Sequence, residues 1–216
     1  MRLTTPAVLL VFVTIACGSG EPRPPEPQPL SDSEAVGVLL ALNSAEVRVA
    51  ESVVGRLSGA EVRAYANEML SGHRALDDRL RQLDEEQDLE GGPSELSAAI
   101  DDDAAQTVLE LMPLSDAALD FAYLATQVRM HRDTLVLLDC AMAVAPGNFA
   151  FDSFRRFTLR PDVRAHFVRA VELYEQYGQS ASVEEVDTRT TAACREACEA
   201  GGARALPAPV RAASCR

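Results

Sequence analysis

Two amino acids are missing from this sequence: it contains no lysine, so all 20 basic residues are arginine, and it contains no tryptophan. Aromatic residues make up only 5% of the chain, while alanine and leucine are abundant, which favours packed helices over a β-sandwich. Acidic residues outnumber basic ones, 33 to 20, so the formal net charge is −13. We therefore predict no nucleic-acid partner, which would need a basic stripe, and no electrostatic attachment to anionic lipid.

The motifs of several common catalytic classes are missing as well. The sequence has no glycine-rich phosphate loop, no G-x-S-x-G elbow and no H-E-x-x-H pair. The acidic runs Asp84-Glu85-Glu86 and Asp101-Asp102-Asp103 lack the spacing of a calcium-binding loop, which indicates solvated faces. These absences favour a non-enzymatic role over an enzyme.

The first 17 residues have the pattern of a bacterial export signal. Arg2 gives a weakly positive start, and the apolar run Ala7 to Ala16 is too short to span a bilayer as a helix. The run Thr14-Ile15-Ala16-Cys17-Gly18 is similar to a lipoprotein box, with Thr14 where leucine is usual. Cys17 is therefore the predicted lipidation site; the alternative is an ordinary cleaved signal that leaves Cys17 free.

Residues 18–30 are rich in proline and glycine and are predicted to tether the membrane anchor to the folded domain. With either kind of signal, the rest of the chain is expected outside the cytoplasm, in the periplasm or on the outer membrane as a lipoprotein. The lipid anchor is expected to hold the chain at the membrane, and the sequence indicates no particular protein partner.

Residues 31–178 are predicted to fold as one all-α domain, an up-down four-helix bundle of the ferritin-like kind. Apolar residues recur at helical spacing in four long stretches, and a shorter, weaker helix is expected between the second and third. The four long helices are expected at about Asp32 to Leu57, Ala60 to Glu86, Ser115 to Ala145 and Phe149 to Tyr177. The last of these is expected to be divided at Arg160-Pro161 into a helical piece at Phe149 to Leu159 and a helix that begins at Pro161.

Several helix ends carry their own signals. Ser31 and Ser58 each precede a glutamate by three residues, which predicts two capping boxes, and Ser115 is a suitable N-cap. The run Pro146-Gly147-Asn148 should end the third helix. Asp101-Asp102-Asp103 predicts a break inside the short helix, and Arg160-Pro161 an interruption of the fourth.

The only three histidines of the chain, His73, His131 and His166, each lie on or beside the apolar stripe of a different long helix. Glu46 has the same kind of position on the first helix. Counting about 1.5 Å per residue from the first turn puts Glu46 and His73 within about one helical turn of each other. A cluster of these four residues in the middle of the bundle is therefore geometrically possible.

Imidazole suits Zn, Cu, Fe or Ni, and a carboxylate often accompanies it, so the cluster is a candidate metal site. The alternative is structural: buried histidines satisfied by a carboxylate or a carbonyl would fix the packing of the helices. Four polar residues are candidates for orienting the rings: Asn43, Asp77, Asp120 and Gln127. Di-iron chemistry is not expected, because the residues three before each histidine are Leu70, Val128 and Val163 rather than glutamate.

The tail, residues 179–216, holds three cysteines, and Cys140 adds a fourth outside the predicted signal. An even number of cysteines outside the cytoplasm predicts disulfides, for which three pairings are possible. We expect one of Cys194, Cys198 and Cys215 to bond to Cys140. A metal site made of the tail cysteines is the weaker alternative.

Three segments resemble signatures of a bacterial family, domain of unknown function 4142. They are V-R-A-Y-A-N-E-M-L-S-G-H from Val62 to His73, the residues Asp120, Ala122, Tyr123, Val128 and His131, and Leu159-Arg160-Pro161 followed by His166. The resemblance covers about residues 32–177 and implies a ferritin-like bundle and export, without a settled activity. The chain departs from the family pattern at Gly72, Leu119 and Gln127, and Gly72 puts in doubt a carboxylate beside His73.

The sequence as a whole predicts an exported, lipid-anchored envelope protein that acts as a structural or binding module. The alternative is a metal-binding or metal-handling protein that uses Glu46, His73, His131 and His166, with Zn, Cu or Fe as the cofactor.

Overall fold

The computed structural model describes residues 30–142 and 147–177, and in these ranges the chain is helical, without a strand. The all-α prediction is confirmed. The α-helices are α1 (Asp32–Val53), α2 (Ala60–Gln87), α3 (Glu95–Leu111), α4 (Asp116–Val136), α5 (Phe149–Phe154) and α6 (Arg160–Gln176). A π-helical turn at Leu137–Ala141 extends α4, and another at Arg155–Leu159 joins α5 to α6. The described residues therefore form five continuous helices, and the last one spans 149–176.

The start of α1 follows the predicted capping box. The Glu34 amide donates to Ser31 Oγ at 3.3 Å, and the Ser31 amide donates to the Glu34 carboxylate at 3.0 Å. The helix ends at Val53, four residues before the predicted end, and Leu57 is buried in the loop that follows.

The second predicted capping box, at Ser58, does not form. Gly59 is the N-cap of α2, and both the amide and the hydroxyl of Ser58 donate to the Asp120 carboxylate, at 2.9 and 2.6 Å. The Gly59 amide also donates to Asp120, at 2.7 Å. Asp120 thus accepts from the Ser58 amide that a capping box would have directed to Glu61, so the turn is held by a distant residue. Ser115 is the N-cap of α4 as expected, although its hydroxyl donates to Asp116.

The short helix predicted between α2 and α4 forms as α3. α3 has 17 residues and passes through Asp101-Asp102-Asp103 without a break, so the predicted break is wrong. Arg48 of α1 pairs with Asp101 at 3.2 Å, and Arg129 of α4 pairs with Asp103 at 3.0 Å. These two ion pairs neutralise the acidic run on the sides where α3 meets its neighbours.

The expected interruption at Arg160-Pro161 is also wrong. Pro161 has no amide hydrogen, and in a regular α-helix its ring would press on the carbonyl four residues earlier. The wider π turn lies immediately before it and closes with a hydrogen bond from the Arg160 amide to the Arg155 carbonyl. The last helix therefore continues through the proline. Residues 143–146, where the third helix was expected to end, lie outside the described part of the chain.

Contacts between helices give the arrangement. α1 packs against α2 and α3, and α4 packs against α6. α4 and α6 run antiparallel, because Asp139 pairs with Arg160 at one end and Phe121 stacks on Tyr174 at the other. α3 runs parallel to α1, because Arg48 pairs with Asp101 and Arg56, two turns later, donates to the Leu111 carbonyl. It contacts α4 as well, so it covers the groove between these two helices.

The core consists of two apolar clusters with a polar layer between them. One cluster includes Ala45, Leu76 and Val163, and the other includes Val49, Met69 and Phe167. Glu46, His73 and His166 fall between these residues along their helices, and His131 takes the same position on α4. The polar residues therefore lie at one level near the middle of the molecule, an arrangement that the spacing of the stripes had made possible.

Candidate functional site

The three histidines meet in the core, which the spacing of the stripes had made possible. His73 comes from α2, His131 from α4 and His166 from α6, and their ring centres are 5.3 to 5.5 Å apart. One ring nitrogen from each residue lies within 4.8 Å of the other two. We call these three residues the histidine cluster.

The hydrogen bond of His73 determines which of its nitrogens is available. Its Nδ1 lies 3.1 Å from the amide oxygen of Asn43, which can only accept, so Nδ1 carries the proton of the neutral ring. The lone pair is therefore on Nε2. This nitrogen is buried and has no hydrogen-bond partner.

His131 has the same arrangement. Its Nδ1 lies 3.0 Å from the backbone carbonyl oxygen of Gln127, one turn earlier in α4, and therefore carries the proton. Its Nε2 is buried without a hydrogen-bond partner. Two helices thus present unprotonated Nε2 atoms in the core, each fixed from behind by an acceptor.

Glu46 lies behind His131, on the side of Nδ1. One carboxylate oxygen is 3.5 Å from His131 Nδ1, and the other accepts a hydrogen bond from the Gln127 side-chain amide at 2.8 Å. Glu46 was predicted as a member of the metal set. The structure places it near the cluster in a position that orients His131, away from the Nε2 lone pair.

His166 is the least buried of the three, and its Nδ1 is also buried without a hydrogen-bond partner. Its ring lies against the backbone of α2 at Gly72. A Cβ atom on residue 72 would lie 3.4 Å from Cε1 of the ring. This is an ordinary van der Waals distance, so the His166 ring packs directly against this part of α2.

Burial keeps the three rings neutral. Desolvation lowers the pKa of His131 and of His166 to about 4, and it lowers the pKa of His73 well below its usual value. Burial has the opposite effect on Glu46 and raises its pKa to about 7, partly offset by the hydrogen bond from Gln127. The contact between Glu46 and His131 is therefore not an ion pair near pH 7, because the imidazole is uncharged there.

Two of the four predicted orienting residues act as expected, and two do not. Asn43 and Gln127 hold His73 and His131. Asp120 instead binds the turn between α1 and α2, and Asp77 accepts a hydrogen bond from Arg81 at 2.8 Å. Neither aspartate has a hydrogen bond to a histidine among the described residues.

Tyr65 is part of the site, although the sequence analysis did not assign it there. Its hydroxyl donates to the backbone carbonyl of His166 at 3.2 Å and lies 3.4 Å from the side-chain oxygen of Gln127. It therefore links the helix that carries His166 to the residue that holds His131. The sequence does contain an indication of this position, because Tyr65 lies eight residues before His73 on the same buried stripe.

The cysteine predictions fall mostly outside the described residues. Cys17, Cys194, Cys198 and Cys215 lie there, while Cys140 is half-buried in the π turn after α4. The lipid anchor and the disulfide therefore stay predictions.

Among the described residues, no helix combines the length and the apolar character that crossing a bilayer requires. No curated protein and no solved structure matches the chain. A family model does match: residues 19–173 fit the model described as "Domain of unknown function (DUF4142)". This match covers well over half of the sequence and agrees with the resemblance found in the three histidine-containing segments. The chain belongs to the DUF4142 family.

Proposed function

We propose that this protein binds one transition-metal ion in its core through ring nitrogens of His73, His131 and His166. The observation that supports this most strongly is the fixed orientation of two of the rings. Asn43 and Gln127 hold the Nδ1 protons of His73 and His131, so both Nε2 lone pairs are left buried and unpartnered.

A purely structural role accounts less well for this arrangement. A buried polar atom without a partner costs about 1–3 kcal/mol, and here there are three such nitrogens, one on each of three rings whose centres are 5.3 to 5.5 Å apart. In a packing role, each ring would be expected to use both of its nitrogens. A bound cation satisfies all three lone pairs at once, and neutral imidazole is the commonest metal ligand in proteins.

Zinc and copper suit a set of three imidazoles, and iron and nickel also bind imidazole. Bonds of about 2.0–2.1 Å to a tetrahedral ion place the nitrogens about 3.4 Å apart, so the rings would move inward by about 1 Å on binding. Three ligands leave one coordination position open. Glu46 would stabilise the ion from behind His131, in the way that carboxylates orient ligating histidines.

The direct test is the metal content of the chain, produced without a histidine tag and loaded with zinc or copper before removal of unbound ion. We expect one equivalent of metal per chain, and its loss from His131→Gln and from His73→Gln. Met69→Leu is a matched control, because it changes a buried residue one turn from His73 without removing a ligand. It should keep the full equivalent.

Retention of metal by both histidine variants would contradict the proposal. So would a wild-type chain that takes up none, and the histidines would then serve only to pack the helices. Circular dichroism of each variant would show that it is folded, so that loss of metal is not mistaken for loss of structure.

We propose in addition that α1, α2, α4 and the last helix form a four-helix bundle of the ferritin-like kind, with α3 outside it. Contacts of α1 with α2, of Tyr65 in α2 with the α6 backbone, of α6 with α4 and of Gln127 in α4 with Glu46 in α1 support a closed ring of four helices. The ligand set nevertheless differs from that of di-iron proteins, since none of the three histidines has a glutamate three residues before it.

We propose that the chain is exported and attached to the envelope membrane by lipid on Cys17, where it serves as a non-enzymatic binding module. The signal pattern and the Pro-rich segment 18–30 support this. Labelling with an alkyne fatty acid in a bacterial host tests it: the wild-type chain should be labelled and Cys17→Ser should not. Equal labelling of both, or of neither, would contradict the anchor.

We propose that one of the tail cysteines bonds to Cys140. Peptide mapping without reduction should find a Cys140 peptide joined to one that contains Cys194, Cys198 or Cys215. A map that shows only free thiols would contradict this pairing.

A further inference from the structure

We infer that Phe149 and Phe157 form a lipid-contacting surface through which the folded domain lies against the membrane that anchors it. We call these two residues the aromatic face. The inference rests on the proposed anchor at Cys17, and it does not depend on the metal site.

The aromatic face is unusually exposed. The side chains of Phe149 and Phe157 are 86% and 79% exposed, whereas Phe151 and Phe154 on the same helix are buried. The two buried phenylalanines already attach the helix to the core, whereas the exposed pair adds little buried apolar area to it. Large apolar side chains that are exposed together commonly mark an interaction surface.

The π turn brings the two rings nearer to the same side of the helix. Phe149 and Phe157 are eight residues apart, which in a regular α-helix leaves them almost a quarter turn out of line. Phe157 lies within the π turn at Arg155–Leu159, which holds additional residue length in one turn and so reduces this offset. The two exposed rings are about 11 Å apart along the helix axis.

Arginine lies next to the aromatic face. Residues 149–168 contain four arginines and two aspartates. Three of these arginines are in ion pairs, Arg155 and Arg156 with Asp152 and Arg160 with Asp139. Arg156 lies beside Phe157 and is exposed, and Pro161 continues the exposed apolar side by one turn. Aromatic rings next to arginines, with long apolar stems, are typical of surfaces that rest in the membrane interface.

The position of the aromatic face fits the anchor. The backbone amide that precedes Phe149, that of Asn148, donates to Asp32 at 2.6 Å, so the face begins next to the first residue of α1. The proposed tether, residues 18–30, therefore joins the folded domain at the same end. Thirteen residues span at most about 45 Å, so this end of the domain can reach the bilayer when Cys17 carries lipid.

The area of the aromatic face also favours lipid over a second protein chain. Two aromatic side chains bury roughly 300–500 Å², whereas a stable interface needs about 800 Å² per partner. A membrane contact needs less, because the anchor already holds the domain at high local concentration.

The absence of tryptophan from the chain makes a sensitive test possible. Phe157→Trp places a single fluorescent reporter in the aromatic face, and Leu109→Trp places one at an exposed position of α3 near the opposite end of the molecule. The full chain, expressed with its own export segment, would be reconstituted into vesicles of phosphatidylethanolamine and brominated phosphatidylcholine in equal parts. Mass spectrometry of the Cys17 peptide would report the anchor separately.

We expect the emission of Phe157→Trp to shift to the blue and to lose most of its intensity to the brominated chains, while Leu109→Trp is unaffected. Phe149→Trp should behave like Phe157→Trp. Lipid on Cys17 without quenching at position 157 would overturn the inference while leaving the anchor intact. Equal quenching at positions 109 and 157 would also overturn it, as would a blue shift that appears without vesicles when the protein concentration is raised, which would indicate a second copy.

Discussion

Asn43 and Gln127 are the residues that make the histidine cluster ready to bind a metal. Each holds the Nδ1–H of a histidine, and the lone pair on the opposite nitrogen is left for the ion. The Gln127 contact comes from its backbone, so only Asn43 can be tested by removing a side chain. Hydrogen-bond partners behind metal ligands typically contribute 10–100-fold to affinity.

We predict that Asn43→Leu weakens zinc binding by about 10–100-fold, because His73 loses the acceptor that fixes its protonated nitrogen. Asn43→Asp should bind at least as tightly as the wild type, since the carboxylate accepts the same hydrogen bond. Competition against a zinc-sensitive dye would measure both affinities. Equal affinities for all three proteins would show that Asn43 does not orient His73.

The pKa of His131 makes a prediction for the metal-free protein. Burial lowers this pKa from 6.5 in the unfolded chain to about 4 in the fold, so between these values the unfolded state binds more protons. Protonation of His131 in the unfolded chain therefore lowers the free energy of unfolding as pH falls from about 6.5 to 4. The total loss is on the order of 3 kcal/mol.

This loss can be isolated by comparing the wild type with His131→Gln in urea at several pH values, with a chelator present. The pKa of Glu46 is raised to about 7, so Glu46 gives the opposite dependence, but it is present in both proteins. The free energy of unfolding should fall more steeply with decreasing pH in the wild type than in the variant. Parallel pH profiles would contradict the assigned burial of a neutral His131.

At the scale of helices, the turn between α1 and α2 depends on one carboxylate from α4. Asp120 accepts hydrogen bonds from the Ser58 amide and hydroxyl and from the Gly59 amide, and the Tyr177 hydroxyl also lies 3.4 Å away. It therefore connects three helices at the end of the molecule opposite the proposed tether.

We predict that Asp120→Ala lowers the free energy of unfolding by about 2–4 kcal/mol, because it leaves partly buried donors without an acceptor. Ser31→Ala is a matched control that removes a local cap at an exposed helix start, and it should cost about 1 kcal/mol. Urea unfolding would measure both. A loss for Asp120→Ala no larger than that for Ser31→Ala would mean that the turn is held mainly by its apolar contacts.

These helix ends show which features the sequence could predict. The capping box of Ser31 and Glu34 is made by residues three apart, and it was predicted correctly. Ser58 has the same local pattern, yet its partner lies 62 residues away, and no local rule indicates such a contact. The continuous α3 and the passage through Pro161 were missed for the same reason, since ion pairs with other helices and a π turn decide them.

At the scale of the whole molecule, the polar layer between the two apolar clusters was predictable because it depends on counting. The positions of Glu46 and His73 relative to the first turn gave their common level, and the stripes gave the inward direction of the three histidines. The sequence could not show which nitrogen of each ring would be free, because that depends on the positions of Asn43 and the Gln127 carbonyl. It also could not show that Glu46 would lie behind His131.

The central claim is that three imidazoles on three different helices hold one ion. X-ray absorption spectroscopy of the zinc-loaded chain tests this most directly, because the scattering of imidazole rings reveals how many are bound. We predict three histidine nitrogens at about 2.0–2.1 Å and a fourth, lighter ligand that is not imidazole. A zinc ion bound mainly by carboxylate oxygens, or by fewer than three imidazoles, would contradict it.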